Sequence, residues 1–177
     1  MGAHPYWYYT PYQADLTAAL QTLREQEFQA GRYYPVVSLN FPIAEQTRSP
    51  GAKHPSIEAA IEASDVDGTR SILDIFRISD TPYPLSGDEL DLDLLAEENI
   101  DALYNAAFPL SSAELLTLFG TEQPTHPMIE SVIVDDTTDS DVSEEFWDSI
   151  DRGSARYIVV YEKSQPSEIF FVGYSFD

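Results

Sequence analysis

A chain of 177 residues, 43% hydrophobic and 12% aromatic, holds enough apolar material for one packed core and is too short for two ordinary domains. Its 31 acidic residues against 9 basic ones give a formal charge of −22, which excludes a nucleic-acid binder of the usual kind, because neutralising phosphates requires a basic surface. Zero cysteines remove thiol nucleophiles, disulfides, iron–sulfur clusters and thiolate zinc sites together.

In chain order, Pro5–Thr10 (PYWYYT) is aromatic on both alternating faces and predicts a well-buried strand. A helix follows, capped by Thr10 with Gln13 or by Asp15, with Leu16, Ala19, Leu20, Leu23 and Ala30 on one stripe and Gly31 at its end. Arg32–Leu39 reads as a second strand whose Pro35 points to an edge or a bulge, and Asn40–Pro55 as a long loop. A short helix over Ser56–Ser64 stops at the turn Asp65–Gly68, and Thr69–Ser79 (TRSILDIFRIS) reads as a strand. From Asp80 to Tyr104 the spacing of Leu92, Leu95, Ile100 and Leu103 predicts an acidic helix.

Ala106–Leu110 suits a short strand, and Ser111 with Glu114 forms a capping box ahead of a helix that Gly120 terminates. Asp135–Asp141 (DDTTDSD) is a charged turn or loop, and Ser143–Arg152 predicts a helix ending at Gly153. Ala155–Glu162 and Glu168–Phe176, joined through Lys163–Pro166, predict a β-hairpin. Ile158, Val160, Phe170 and Val172 should share its buried face, and the hairpin should sit centrally, paired with the Thr69–Ser79 strand or the N-terminal one. The expected fold is α+β: one domain over residues 1–177, with a mostly antiparallel sheet of about four to six strands and helices on one face. An acidic insertion is expected at about 84–103 and an acidic loop at about 134–142.

Four stretches resemble an uncharacterised bacterial protein family of unknown function: Leu23–Tyr33 (LREQEFQAGRY), Pro50–Ser79, the Pro109–Gly120 helix and Arg156–Asp177. Together they cover about half of the chain. The resemblance implies a compact bacterial domain and carries over no functional residue, since no activity is attached to that family.

No G-x-S-x-G, H-E-x-x-H, G-x-G-x-x-G or P-loop is present, and no cofactor is expected. Lys53 and His54 stand just before a helix N-terminus, where backbone N–H groups favour an anion; the alternative is an ordinary Pro/Gly loop with an N-cap. His4, His54 and His126 are far apart in sequence, so no metal site is expected of them. Asp135, Asp136, Asp139, Asp141, Glu144 and Glu145 offer oxygen ligands but lack the glycine and terminal glutamate of a calcium loop. The crowded aromatics Tyr6, Trp7, Tyr8, Tyr9, Tyr12, Tyr33 and Tyr34 suit an interface, and suit core packing better. A buried Arg32 or Arg77 could pair with Asp74.

Charge distribution carries the functional expectation. No lysine or arginine lies between Arg77 and Arg152, while residues 80–151 hold 19 of the 31 acids. The leading reading is a non-enzymatic binding or regulatory protein, inhibitor- or immunity-like, whose acidic middle meets a basic partner protein through Asp135, Asp136, Asp139, Asp141, Glu144 and Glu145. A nucleic-acid mimic is a second reading, and a small hydrolase or transferase with a carboxylate pair a third. No apolar run approaches the roughly 18–20 residues of a membrane span, and no basic-then-apolar leader opens the chain, so a cytoplasmic location is expected. Met1-Gly2 opens like a myristoylation signal, but Tyr6 stands where Ser or Thr belongs.

Overall fold

The sheet grows from the two ends of the chain inward. In the computed structural model, which describes residues 3–36, 54–84, 103–135 and 141–176, β1 (Pro5–Pro11) pairs antiparallel with β5 (Gln165–Tyr174), which pairs antiparallel with β4 (Ala155–Glu162). β3 (Ala106–Pro109) lies parallel to β4, and β2 (Arg77–Ile78) parallel to β3, giving the order β1-β5-β4-β3-β2. The hairpin is central, as its sequence predicts, and its turn is tighter than four residues. Glu162 opposes Gln165, leaving Lys163 and Ser164 at φ 50° and 61° to make a two-residue turn whose left-handed backbone matches the strand twist.

The expectation of a mostly antiparallel sheet needs correcting to a mixed one. Between β3 and β4 the chain lays down a whole helical layer before returning to the same end of the sheet, and such a crossover makes its two strands parallel. Of the strand expected at Thr69–Ser79, only Arg77 and Ile78 join the sheet. The segment before them folds on itself: Ser71 caps a 3₁₀ turn at Ile72–Asp74, and the Asp74 carboxylate accepts the Thr69 N–H at 2.9 Å and the Thr69 hydroxyl at 2.7 Å. Short polar side chains that bond nearby backbone compete with the ladder, and here they win. The strand expected at Arg32–Leu39 is absent from its described part, residues 32–36, which bend and turn there; the remainder lies outside the described residues.

Helices cover both faces of the sheet, not one. On the first face, α1 (Leu16–Ala30) starts where Asp15 Oδ1 accepts the Ala18 N–H at 3.0 Å, so Asp15 and not Thr10 is its cap, and Gly31 at φ 69° ends it. With α2 (Ile57–Ser64), capped by Ser56, it buries Ala19, Leu20, Leu23, Phe28 and Ala60 against Tyr6, Ala155, Tyr157, Ile169 and Phe171. On the second face lie α3 (Ser112–Phe119), with its predicted Ser111/Glu114 capping box, α4 (His126–Ile129), which runs into a π-turn at Glu130–Val134, and α5 (Asp141–Asp148). The last starts two residues earlier than predicted and stops short of Gly153.

This second layer buries Ile129, Ile133, Phe146 and Ile150 against Ile158, Val160, Phe170 and Val172, the four hairpin residues predicted to share a face. Period-two alternation on the central strands thus serves two cores. Among the described residues β1 stands at the edge of the sheet: Tyr6 is 5% exposed, but Trp7 is 42% exposed, so Trp7 does not belong to the core it was expected to join. Tyr6 lies across its partner Gly173, where an added Cβ would stand 2.7 Å from both the Tyr6 hydroxyl and the Ser154 carbonyl oxygen. The acidic helix expected between Asp80 and Tyr104 falls mostly on residues 85–102, outside the described residues.

Candidate binding surface

The helices of the second layer carry acidic residues and no lysine or arginine: Glu114, Glu130, Asp141, Glu144, Glu145 and Asp148 project from α3, α4 with its π-turn, and α5. Asp135, Asp141, Glu144, Glu145 and Asp148 are exposed, as is Glu122 in the connection between α3 and α4. The arginines of α1 and its end serve the opposite face: Arg24 Nη2 donates to the Leu73 carbonyl at 3.0 Å, and Arg32 pairs with Glu27. The pairing of Arg32 or Arg77 with Asp74 that the sequence allows is not made; Arg77 Nη2 donates to the Tyr104 carbonyl at 2.6 Å.

Beneath the acidic layer sits Arg156, 1% exposed. Alternation on β4 points it to the same side as Ile158. Its guanidinium lies 4.0 Å from the Tyr83 ring centroid and 5.8 Å from that of Phe108, and Nη2 donates to the Ser149 carbonyl at 2.6 Å. That carbonyl lies just past the last residue of α5, where a cation satisfies a free acceptor and opposes the negative end of the helix dipole. Burial pushes the Arg156 pKa down to about 10, offset in part by attraction to Tyr83, Glu114 and Asp151. The Tyr83 hydroxyl in turn donates to Asp151. Arg156 therefore anchors α5 from below and places one buried positive charge under a negative surface.

Between α3 and α5 runs a groove of about 280 Å³, lined by Ala113, Leu118, Val142 and Phe146, with Glu114, Thr117, Glu145, Ser111 and Ser149 also on its walls. Its helices are firmly held. The Glu114 carboxylate accepts from the Ser111 N–H at 2.6 Å and from the Ser111 hydroxyl at 2.7 Å, fixing the start of α3, while Arg156 fixes the end of α5.

A second constellation, which sequence spacing does not reveal, surrounds His126. Its Nδ1–H donates to Glu168 Oε2 at 2.7 Å, Nε2 faces Glu130 Oε1 at 3.8 Å, and the ring stacks on Tyr9 with centroids 4.0 Å apart. Tyr9 donates its hydroxyl to Glu130 at 2.7 Å; burial and that bond push the Tyr9 phenol well up. A general base needs a ring nitrogen facing a reacting proton, and a nucleophile needs a base within reach. Here both ring edges meet carboxylates on opposite sides, so the cluster clamps α4 to β1 and β5. The opposed carboxylates also fail to converge on one point, and among the described residues no group of three or more His, Asp or Glu is arranged to hold a metal ion.

Of the residues the sequence singles out for partner binding, Asp141, Glu144 and Glu145 come together on α5, with Asp135 just past the π-turn; Asp136 and Asp139 lie outside the described residues. Lys53 also lies outside them, while His54 Nδ1 is 3.0 Å from the Tyr33 hydroxyl, tying the approach to α2 onto the first core. Burial also raises the pKa values of Tyr6, Tyr8 and Asp74, which lie in or against the core beneath α1. No helix among the described residues is long and apolar enough to cross a membrane. Compared with known proteins, the chain matches no family model, no curated sequence and no solved structure.

Proposed function

We propose that the protein is a non-enzymatic binding protein, of the inhibitor, immunity or regulatory kind, and that its α3–α5 layer meets a basic partner protein. The observation that carries this reading is the one-signed charge of that layer: three successive helices present Glu114, Glu130, Asp141, Glu144, Glu145 and Asp148 without one lysine or arginine among them. A surface of one sign raises its own folding cost by repulsion and, in exchange, attracts a partner of the opposite sign over a long range. Exposed carboxylates act mainly on the rate of encounter, and salt screens them.

The test is kinetic. For a basic protein recovered with this one from its native cells, association rates are measured between about 0.05 M and 0.5 M salt, across which the Debye length falls from above 10 Å to about 4 Å. Wild type should slow steeply, whereas Glu144→Gln, Glu145→Gln and Asp148→Asn combined should start slower and vary less. Equal rates and equal salt slopes would leave the acidic layer as a solubility feature. Partners that are DNA-binding proteins and that duplex DNA displaces would make nucleic-acid mimicry the form the binding takes.

A further inference from the structure

We infer that the α3–α5 groove is the anchor point for a cationic amphipathic segment of the partner: one large apolar side chain enters the groove, and lysines or arginines beside it meet the carboxylates of α5. This inference rests on the basic-partner reading and adds to it a place and a chemistry. Three features of the groove argue for that occupant.

The first is size. At about 280 Å³ the groove stands at the lower edge of the range of roughly 300–1,000 Å³ typical of small-molecule sites, room enough for one or two large side chains of a protein partner. The second is the pairing of an apolar floor with an acidic rim. Ala113, Leu118, Val142 and Phe146 supply the floor; Glu114 and Glu145 stand on the walls, and Asp141, Glu144 and Asp148 lie on the same helix as Glu145. An anionic segment would be repelled, and a neutral one would leave the rim uncompensated. Interfaces draw their strength from a desolvated central anchor surrounded by a polar rim, and this groove has that layout on one side.

The third is preorganisation. The capping box holds the first turn of α3, and Arg156 holds the Ser149 carbonyl at the end of α5, so the walls keep their spacing before anything binds. A site that need not be ordered on binding loses less of its gross affinity. Glu114 is already committed to Ser111, which leaves Glu145 and its neighbours on α5 as the carboxylates that meet the partner.

The test uses two fluorescein-labelled helical peptides of equal charge, one with a lysine-rich face and a central leucine, the other with serine in place of that leucine, followed by anisotropy. Ala113→Phe fills the groove without changing charge. Thr117→Phe is a second filler; both positions are exposed, so neither substitution disturbs a core. Wild type should bind the leucine peptide at least tenfold more tightly than the serine peptide. Either filler should abolish that preference while leaving the serine peptide's weak, salt-sensitive binding as it was, and the combined α5 acid substitutions should weaken both peptides. Fillers without effect, together with acid substitutions that still weaken binding, would overturn the groove and keep the acidic surface. Equal binding of the two peptides by wild type would also overturn the groove, and insensitivity to the acid substitutions would remove the basic-partner reading itself.

Discussion

Replacing Asp74 with asparagine should flatten one component of the protein's pH-dependent stability. The Asp74 carboxyl is 2% exposed, and burial pushes its pKa from the ordinary 3.8 up to about 6, against the lowering effect of the Thr69 amide and hydroxyl and of Arg24. A folded-state pKa above the unfolded value means that the native state holds the proton more tightly. The stability this contributes is complete below pH 3.8 and is lost as pH rises through 6.

Between pH 7 and pH 5 only part of that window is crossed. At about 1.4 kcal/mol per unit, wild type should therefore gain about 1 kcal/mol on acidification from this group, or roughly 2–4 °C in Tm for a chain of this size. Repulsion among the other charged groups also changes with pH. Asp74→Asn shares those contributions and lacks its own proton, so the quantity to read is the difference between the two proteins. Urea unfolding of both at pH 5 and pH 7 measures it. A wild-type-minus-variant difference that stays the same at the two pH values would refute the reasoning, because it would mean that Asp74 does not change protonation there.

Three further outcomes are expected. Gly173→Ala should cost about 1–3 kcal/mol in chemical denaturation, because the new methyl would stand 2.7 Å from the Ser154 carbonyl oxygen and from the Tyr6 hydroxyl, and the backbone oxygen gives way less readily than a flexible side chain. His126→Ala removes the 2.7 Å bond to Glu168 and the stack on Tyr9 and should cost about 1–2 kcal/mol; a loss within experimental error would show that the cluster clamps nothing. Trp7→Ala should cost about 1 kcal/mol instead of the 3–5 kcal/mol of a buried tryptophan, since its ring is 42% exposed and its edge contact to Trp147 has centroids 6.3 Å apart; a thermal-shift series against a buried-core control such as Phe171→Ala checks it.

Local chemistry alone determined a good part of this protein. The Ser111/Glu114 capping box, the Ser56 cap, Gly31 and Gly120 at helix ends and the strand limits Ala155–Glu162 are legible because each depends on residues a few positions apart. The acidic character of the middle is equally a property of the chain, since charge is counted along it. Tertiary structure decided what depends on neighbours distant in sequence. TRSILDIFRIS reads as a strand, yet Asp74 turns back to Thr69 and the apolar residues pack beneath α1, so all but two of its residues leave the sheet. The aromatic β1 looks like a core strand, yet among the described residues it pairs on one side only and leaves Trp7 half exposed. His126, Glu168 and Tyr9 meet because α4 packs on the sheet within side-chain reach of β1 and β5, and no spacing in the chain announces it. The groove, too, exists only because α3 and α5 pack side by side over Arg156, a residue whose sequence neighbours give no sign that it will be buried beneath a negative surface. Periodicity tells which side of an element is apolar, and the packing of the whole chain tells what that side will meet.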